Sequence, residues 1–472
     1  METVDVVAVD LGASGGRAAR VRVGDRLTVL AQHRFPNSII EANGLRWDLD
    51  RLLADLLDGC RRVNRGFGPP FSLAVDGWGV DYGLLDREDR LVQPPFSYRD
   101  DRTHSLRDRI DQPAAYRRTG IPGQDINTAT QLLAEDPRTL ARADRLLLLP
   151  DLIMFRLTGA AGTEPTIAST TQLFDLDRAW DRDLIDGVGA AGLTFPEVRR
   201  HSEVTARVRP ETAAAIGADA GLRAVGICSH DTASALVATP LAEPDAAYIS
   251  CGTWACVGAE LDRPVLTEAA RLAGFANEQG LDGTVTFHRS AMGLWPLQEC
   301  LRHWDVGEPA DLFRAAADLP PSPAPFDVDD PRLFGRQRMP ETVADLCREA
   351  GLPVPETRAA VVRCLLDGLA ASLARHVADL DRVLGRRTGR LHLVGGGARN
   401  ALLCQRLADL ADLPVTAGPV EATLLGNALV QARAAGGPAT LAAMRQVVRR
   451  TVRPRTFTPR SPYQEEDHDH DR

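Results

Sequence analysis

Three aspartates of the sequence stand where apolar strands end, and each carboxylate could do chemistry. Asp10 follows the apolar residues 6–9 and begins a turn rich in glycine, so it could hold Mg²⁺ beside a phosphate group. Asp76 ends a similar run in FSLAVDGWGVDYG, and Asp231 follows a third in LRAVGICSHDTAS, where it could accept a proton. The competing interpretations are structural, since Asp10 could start an ordinary hairpin and Asp231 could cap the next helix.

Three turns that contain glycine also follow apolar strands, and they read DLGASGG, CGTWACVG and VGGGARN. Each turn alone is explained by glycine being the usual residue of tight turns. Together they favour nucleotide binding, because glycine lets the backbone approach a ligand closely and a helix N-terminus favours an anion. The sequence has no G-x-x-x-x-G-K-[ST] motif and no clean dinucleotide fingerprint, which excludes the P-loop and Rossmann classes.

The composition limits the class of protein. The chain has 472 residues, of which 44% are hydrophobic, so it can bury a sizeable core in two large lobes. Its formal net charge is −9 and its arginines are spread along the chain, which argues against a nucleic-acid partner. We find no basic and apolar leader and no apolar run that could span a bilayer, so we expect a cytoplasmic protein with no membrane partner.

The cysteines and the C-terminal tail are assigned no chemistry. The 8 cysteines are scattered with no C-x-x-C pair, and most lie in apolar surroundings, which favours buried thiols over zinc or disulfides. The chain ends in SPYQEEDHDHDR, and this pattern favours a disordered acidic tail over residues 458–472 rather than a metal site.

The order of strands and turns restarts in the second half of the chain. After Pro244, AAYISCGTWACVGAEL repeats the strand, glycine turn and strand of the N-terminus, which indicates two lobes related by an internal repeat. We place the boundary within residues 238–246. The predicted N-terminal lobe covers residues 1–240, and the C-terminal lobe covers 241–457.

Apolar residues at helical spacing predict the helices that connect these strands. The predicted helices cover residues 49–57, 100–111, 127–134, 145–158 and 358–384. A further helix is predicted to begin near Ala233. Residues 320–355 are irregular and rich in proline, so we expect a surface insertion there rather than core.

Longer segments carry a resemblance that the short motifs do not. The most specific are SHDTASA, MGLW and GPVEA followed by LGN, and VAVDLGASGGR, NEQGLDG and LHLVGGGARN accompany them. On these segments the chain resembles the FGGY family of carbohydrate kinases, and within it the rhamnulokinases. The resemblance implies an α/β fold with two ribonuclease-H-like, actin-like ATPase lobes and a catalytic cleft between them. It also implies Mg²⁺-dependent transfer of the γ-phosphoryl group of ATP to the C1 hydroxyl of L-rhamnulose, in L-rhamnose catabolism.

The resemblance also implies roles for individual residues. Asp10 would hold Mg²⁺ through water, and Asp231 would accept the proton of the sugar hydroxyl. The N-terminal phosphate loop would consist of Ala13, Ser14, Gly15, Gly16 and Arg17. The sugar would be bound by Gly79, His230, Asp231 and Thr232. The nucleotide would be contacted from the second lobe by Thr253, Gln298 and Gly396.

Two further residues bear on the sugar. Asp81 in DGWGVD could accept hydrogen bonds from sugar hydroxyls, although turn formation explains it equally well. Ser290 stands where the family is expected to have an Asn, and its shorter side chain would reach the sugar through water, which leaves the ketose open. The alternatives are a kinase for L-fuculose or a pentulose, and a nucleotide-dependent regulator on the same fold. We expect the sugar and ATP as partners, and a monomer or small homo-oligomer.

Overall fold

A computed structural model of the chain describes residues 2–12, 15–322, 326–335 and 338–460. The chain divides into two compact units. Unit 1 comprises Met1–Pro240, Glu260–His288 and Ala422–Val452. Unit 2 comprises Leu241–Ala259, Arg289–Glu421 and Arg453–Arg472. The predicted loop residues Ala13 and Ser14, and residues 461–472 of the predicted tail, lie outside the described residues.

Unit 1 is built from three separate pieces of chain. The first change of unit, after Pro240, falls within the predicted boundary at residues 238–246, but two later segments return to unit 1. The division into two successive lobes, residues 1–240 and 241–457, therefore stays a prediction.

The described strands, in chain order, are β1 Val4–Gly12, β2 Gly15–Val23, β3 Leu27–Pro36, β4 Ile39–Glu41, β5 Leu45–Trp47, β6 Ser72–Gly77, β7 Tyr82–Leu85, β8 Arg145–Leu148, β9 Val204–Arg207, β10 Arg223–Val225, β11 Ala246–Cys251, β12 Trp254–Leu261, β13 Ala276–Gln279, β14 Val285–Met292, β15 Arg390–Val394, β16 Val415–Ala417 and β17 Arg455–Phe457.

The described α-helices, in chain order, are α1 Leu49–Asn64, α2 Gln112–Thr119, α3 Thr128–Leu133, α4 Pro137–Arg142, α5 Leu149–Thr158, α6 Pro165–Ala168, α7 Arg182–Gly187, α8 Pro210–Ala215, α9 Asp231–Val237, α10 Glu268–Leu272, α11 Trp295–His303, α12 Ala310–Ala317, α13 Met339–Glu349, α14 Arg358–Leu384, α15 Ala401–Ala411, α16 Ala422–Ala434 and α17 Leu441–Thr451.

The main sheet of unit 1 has the strand order β3-β2-β1-β6-β10-β9. β1 pairs antiparallel with β2 and parallel with β6, in a register that sets Asp10 beside Asp76. β10 continues the sheet parallel to β6. Because the carboxyl ends of parallel strands meet at one edge of a sheet, the residues that follow β1, β6 and β10 are brought to the same edge.

Residues 6–9 of β1 are all apolar because this strand is buried in the core of unit 1. Val6, Val7 and Val9 are fully buried, as expected for a central strand that is covered on both faces. Val7, Val9 and Leu11 join side chains of α1 and α5 in one apolar cluster. Asp10 alternates with them along the strand, so its side chain lies on the other face, and α16 packs against β1 there.

The sheet of unit 2 repeats this arrangement. β11 pairs antiparallel with β12 and parallel with β15, and β16 and β17 complete that side of the sheet. The hairpin followed by a parallel strand is the pairing that β1, β2 and β6 make in unit 1, as the restart of the sequence pattern predicted. β13 pairs antiparallel with Val285–His288 of β14, and both of these segments belong to unit 1.

The helix predictions over residues 49–57, 127–134 and 358–384 are confirmed, since α1 spans Leu49–Asn64, α3 spans Thr128–Leu133 and α14 spans Arg358–Leu384. The predicted helix over residues 145–158 begins with strand β8, whose leucines pair with β7 before α5 starts. A continuous apolar run buries its side chains in either structure, so the pattern does not separate them. The helix predicted to begin near Ala233 begins at Asp231.

Two further expectations from the sequence are also wrong. Residues 100–111 form short 3-10 turns at Asp101–Thr103 and Arg107–Arg109 rather than an α-helix, since this charged stretch offers little apolar surface to bury. The proline-rich residues 320–355 are not simply a surface insertion. They include α13, and Val328 and Leu333 within them are buried in the core.

The expectations for cysteines and membrane segments can be compared with the described residues. All eight cysteines are free thiols, and Cys256 is the one that is not buried. Within the described ranges, no group of three or more His, Cys, Asp or Glu could hold a metal ion. In that same part of the chain, no helix combines the length and apolar character that crossing a bilayer requires.

Candidate active site

Three aspartates that the sequence analysis singled out meet at one edge of the unit 1 sheet. Asp10 and Asp76 are in register on β1 and β6. The segment before α9 lies beside the end of β6, because the backbone N–H of Gly77 donates to the carbonyl of Ser229 at 2.9 Å. Gly77 and His230 form a parallel bridge there. Asp231 therefore begins α9 at the same edge.

Asp10 is nearly fully buried and pairs with an arginine of the neighbouring strand. The Arg17 Nη2 donates to Oδ2 of Asp10 at 2.5 Å, and 24% of the Arg17 side chain is exposed. The β1–β2 register places the two residues opposite each other, so the hairpin holds the contact. This pair sets the Asp10 carboxylate against Arg17, the last residue of the predicted phosphate loop.

Asp76 is completely buried, and helix α16 holds it in place. The Asn427 Nδ2 donates to Oδ2 of Asp76 at 2.5 Å, and Gln431 donates to Oδ1 of Asn427 at 2.6 Å. Oδ1 of Asp76 has no hydrogen-bond partner among the described residues. Burial, with the charges of Asp10 and Asp231, raises the pKa of Asp76 well above its ordinary value. Asp76 is therefore within electrostatic reach of both Asp10 and Asp231.

The acidic side chains at this edge fit a magnesium ion that is bound mainly by phosphate and water. Mg²⁺ takes oxygen ligands and typically uses one or two carboxylates together with substrate phosphates. Asp10 supplies such a carboxylate, and the unpartnered Oδ1 of Asp76 is a second oxygen on the adjacent strand. This donor set suits a metal that arrives with a nucleotide better than one held by the protein alone.

Asp231 is the first residue of α9, and its carboxylate is the most accessible of the three. Its side chain is 31% exposed. The Thr232 hydroxyl donates to Oδ1 at 3.1 Å. The N-cap position belongs to His230, which makes no side-chain capping bond. A purely capping role for Asp231 is therefore not what the geometry supports.

Burial raises the pKa of Asp231 above its ordinary value, and the neighbouring His230 opposes the rise. The His230 Nε2 lies 3.5 Å from Oδ1 of Asp231. Thr232, also predicted to meet the sugar, is buried beside them with its hydroxyl on Asp231. The predicted residues His230, Asp231 and Thr232 thus form one contiguous cluster.

Two residues that the sequence analysis did not single out lie behind His230. The Glu278 Oε2 lies 2.9 Å from Nδ1 of His230, and the Glu278 Oε1 lies 3.4 Å from Nε2 of His288. The first distance is that of a close ion pair, although the ring N–H is not aimed squarely at the oxygen. The two histidines hold the pKa of Glu278 well below its usual range despite its burial.

Glu164 fixes the backbone just before His230. Its Oε1 accepts hydrogen bonds from the backbone N–H of Ser229 at 3.0 Å and from its hydroxyl at 2.7 Å. Its Oε2 lies 2.6 Å from Nε2 of His201. Burial would raise the pKa of Glu164, but His201 and the hydroxyl donors outweigh it and lower the pKa to about 2. A buried, ionised glutamate therefore positions the segment that carries Asp231.

Asp81, predicted as a possible sugar contact, is instead fully enclosed by the protein. Its Oδ2 accepts from the indole N–H groups of Trp47 at 2.6 Å and Trp78 at 2.9 Å, and its Oδ1 accepts from Gln131 at 3.0 Å. Burial raises the pKa of Asp81 to about 6, and the indole donors oppose that rise. These contacts give Asp81 a role in holding the DGWGVD turn, and direct contact with the sugar stays a prediction.

The DGWGVD turn is tight and strained. Val80 has a φ of 69°, which a β-branched residue rarely adopts. Its N–H donates to the Thr170 hydroxyl at 3.2 Å, and its carbonyl accepts from the Thr128 hydroxyl at 2.7 Å. Strain of this kind costs about 1–3 kcal/mol and persists where surrounding contacts impose it, often at functional sites.

Replacing Gly79 with Ala is expected to lower the free energy of unfolding by about 1–3 kcal/mol, as overpacking does. A Cβ at this position would lie 2.7 Å from Oγ1 and 2.8 Å from Cβ of the buried Thr170. Urea denaturation measures the loss. Gly187→Ala is the matched control, since nothing lies within 4 Å of the added carbon there. Equal stability of the two variants would contradict the close packing of Gly79.

The described part of the predicted phosphate loop is closely packed at its glycines. A Cβ on Gly16 would come within 2.1 Å of the Phe35 ring, and one on Gly15 would lie 3.1 Å from the Phe35 carbonyl oxygen. Both positions therefore favour glycine. Whether Gly15, Gly16 and Arg17 contact phosphate stays a prediction.

The predicted nucleotide contacts of unit 2 lie at the end of its central strands. The Thr253 hydroxyl, in the turn between β11 and β12, donates to Oε1 of Gln298 at 3.3 Å. Gly396 is exposed in the turn after β15, which pairs with β11. Its neighbour Gly395 has a φ of 81°, and a Cβ there would lie 2.9 Å from the Cys251 carbonyl oxygen. Unit 2 thus places the Thr253 hydroxyl, the Gln298 amide and the exposed turn at Gly396 near the ends of β11 and β15.

Ser290 lies on β14 within unit 2, and its side chain is exposed. It belongs to a different unit from the cluster of His230, Asp231 and Thr232. Its predicted contact with the sugar therefore stays a prediction.

Comparison with known proteins identifies the family. The N-terminal domain model of the FGGY family of carbohydrate kinases matches residues 6–238, and the C-terminal domain model matches residues 247–435. A rhamnulokinase of Pectobacterium carotovorum subsp. carotovorum (strain PC1) is 38% identical over 475 residues, which cover 98% of this chain and 94% of that protein. The chain belongs to the FGGY family of carbohydrate kinases.

Further similarities concern another FGGY relative and the fold. A rhamnulokinase of Klebsiella pneumoniae (strain 342) is 38% identical over 466 residues, covering 96% of this chain and 94% of that protein. The crystal structure of gluconate kinase from Lactobacillus acidophilus has a TM-score of 0.78 at 15% identity, covering 97% of this chain and 94% of that chain. At that identity the likeness concerns the fold, and it confirms the predicted α/β, actin-like ATPase class.

In this FGGY kinase, three buried residues that the sequence did not point to contact the predicted site. Asn427 contacts Asp76, Glu278 contacts His230, and Glu164 contacts Ser229. Asn427 lies in the LGN segment that contributed to the resemblance, but nothing local indicated that it contacts Asp76. Glu278 lies in NEQG on a strand whose residues are all buried. A glutamate in a fully buried strand must have a charged partner, and this is the signal that could have found it.

Proposed function

We propose that the chain transfers the γ-phosphoryl group of ATP to the C1 hydroxyl of L-rhamnulose, giving L-rhamnulose 1-phosphate and ADP in L-rhamnose catabolism. The observation that carries this proposal is the meeting of Asp10, Asp76 and Asp231 at one sheet edge, with Asp231 the most accessible. The choice of sugar is supported by the relatives that cover nearly the whole chain and are named rhamnulokinases.

Asp231 is the proposed acceptor of the hydroxyl proton. Phosphoryl transfer passes through a loose transition state in most analyses, so positioning and charge neutralisation matter more than a strong base. A carboxylate within hydrogen-bond reach can nevertheless take the alcohol proton as the new bond to phosphorus forms. The partly exposed carboxylate of Asp231, held by Thr232 and His230, is suited to that step.

Asp10 is the proposed partner of Mg²⁺, with Asp76 next to it. When bound, the ion would neutralise negative charge on the phosphate oxygens. Arg17, which pairs with Asp10, would fix the direction of that carboxylate and bring a positive charge to the phosphate loop. Ala13, Ser14, Gly15 and Gly16 would complete that loop through backbone N–H groups.

The remaining proposed roles concern binding. Thr253, Gln298 and Gly396 would contact the nucleotide, and the open turn at Gly396 would let its backbone approach a ligand. The sugar would be bound by Gly79, His230, Thr232 and Ser290. For Asp81 we propose that the effect is indirect, because the protein's own donors meet both of its oxygens. A cytoplasmic location is supported by the free cysteines. We also propose that the protein is a monomer or a small homo-oligomer.

A panel of ketoses assayed with ATP and Mg²⁺ tests the proposal. Release of ADP is measured by a coupled assay with L-rhamnulose, L-fuculose, L-ribulose or D-xylulose, and without sugar. We expect kcat/KM for L-rhamnulose to exceed that for each other ketose by about tenfold or more, since a polar site left unpaired by the wrong sugar loses more than 1 kcal/mol. A higher value for another ketose would overturn the substrate, and ADP release independent of sugar would overturn the kinase itself.

A further inference from the structure

We propose that Glu278, backed by His288, is a positioning residue that keeps His230 doubly protonated, so that the His230 Nε2–H is a permanent donor facing Asp231. This inference rests on the proposed role of Asp231 as proton acceptor. It goes further by assigning a task to two residues that do not themselves meet the sugar.

The geometry is a row of four side chains within unit 1. Asp231 Oδ1 lies 3.5 Å from Nε2 of His230, whose Nδ1 lies 2.9 Å from Glu278, and the other Glu278 oxygen lies 3.4 Å from Nε2 of His288. Glu278 and His288 are on the paired strands β13 and β14, which fixes their spacing. The row runs from the partly exposed carboxylate into the core.

Burial makes Glu278 depend on its basic partners. Glu278 is 8% exposed and His288 is 3% exposed. A buried carboxylate without a cation is strongly unfavourable, so Glu278 requires positive charge next to it. The imidazoles of His230 and His288 are the basic groups that lie against its two oxygens.

The carboxylates around His230 all raise the pKa of its imidazole. Burial alone would lower the pKa of its imidazole, but the carboxylates of Glu278, Asp231 and Glu164 raise it to about 9. The ring of His288 is centred 6.5 Å from the ring of His230. Glu278 makes the largest favourable contribution, and its removal would leave burial with less opposition.

The protonation state decides what His230 can do. A neutral imidazole has one N–H, and that hydrogen could sit on Nδ1 towards Glu278, leaving Nε2 as an acceptor. An imidazolium has both, so Nε2–H always faces Asp231 and the place where a sugar hydroxyl would bind. Its charge also lowers the pKa of Asp231, opposing the effect of burial. Glu278 thus favours the ionised form of Asp231 through His230, while the charge of Glu278 itself raises the pKa of Asp231.

The first test needs no turnover. Titration of the histidine imidazoles by NMR, with His230 identified by its absence from the spectrum of His230→Asn, is expected to show His230 protonated up to about pH 9. In Glu278→Gln the midpoint is expected to fall by at least about one pH unit. A midpoint below pH 7 in the unsubstituted protein, or no change in the variant, would overturn the inference.

The second test is the pH profile of the full-length enzyme. A histidine whose pKa is raised loses its proton as pH rises through that value, so its loss appears on the alkaline side. A midpoint that falls from about 9 to 8 or below leaves half or more of His230 unprotonated at pH 8. We therefore expect Glu278→Gln to lower kcat/KM for L-rhamnulose about twofold or more at pH 8 and little at pH 6, and Glu278→Asp to restore most of the loss. Glu268→Gln, at an exposed glutamate of unit 1, should leave the profile unchanged.

The outcomes separate this inference from the proposed function. A loss by the same factor at every pH would mean that Glu278 is merely structural, and would overturn the inference. The NMR result stands whether or not L-rhamnulose is phosphorylated, so a failed ketose assay would count against the function alone.

Discussion

Replacement of Asp231 with Asn lowers kcat by at least about 10²-fold, as expected for the loss of a general base, while ATP binding is retained. The amide keeps the shape of the side chain and its place beside Thr232 and His230, but it cannot accept the proton of the hydroxyl. Steady-state ADP release gives kcat, and calorimetric titration with ATP and Mg²⁺ gives the binding constant.

The matched control for this variant is Asp50→Asn. Asp50 is an exposed aspartate in the first turn of α1, as Asp231 is in the first turn of α9, so both would interact with a helix N-terminus in the same way. We expect the control to keep its kcat. Similar small losses in both variants would return Asp231 to a structural role at the helix terminus.

Glu164→Gln is expected to lower the free energy of unfolding by roughly 3–5 kcal/mol, in the range found when a buried ion pair is broken. The glutamate accepts from Ser229 and from the backbone of α6, and it pairs with His201. An amide offers one acceptor oxygen in place of two, so buried donors are left unpaired. Urea denaturation gives the free energy, and Glu211→Gln, at an exposed glutamate in α8, is the control.

The pH dependence of stability gives an independent check on Glu164. Its pKa is lowered to about 2 in the folded protein, against an ordinary value of 4.5, so the stabilisation it provides is complete above pH 4.5. That stabilisation is lost as pH falls from 4.5 towards 2. We expect the unsubstituted protein to lose stability more steeply over this interval than Glu164→Gln. Parallel curves would show that Glu164 is not held ionised by its partners.

The edge of the unit 1 sheet could be predicted because its signal is local. An apolar run that ends in an acid and is followed by glycine or by a helix describes both a parallel strand and the position of the residue after it. Asp10 and Asp231 could therefore be placed at strand ends from the sequence. The restart after Pro244 is also local, since the same order of strand, glycine turn and strand recurs in β11 and β12.

The partners of these residues could not be predicted, because they lie far away along the chain. Asn427 is 351 positions from the Asp76 that it contacts, and Glu164 is 65 positions from Ser229. No periodic pattern encodes such a pairing. The indole donors of Asp81 could not be predicted either, since an aspartate beside tryptophans is equally typical of a polar turn, and only the structure shows both indole N–H groups on its Oδ2.

The most direct test of the account is a crystal structure of the chain with L-rhamnulose and a non-hydrolysable ATP analogue. The measured quantity is the distance from the C1 hydroxyl oxygen to the nearer carboxylate oxygen of Asp231. We predict a hydrogen bond of about 2.6–3.2 Å between them. A C1 hydroxyl on another carboxylate, with Asp231 turned away from the sugar, would contradict it.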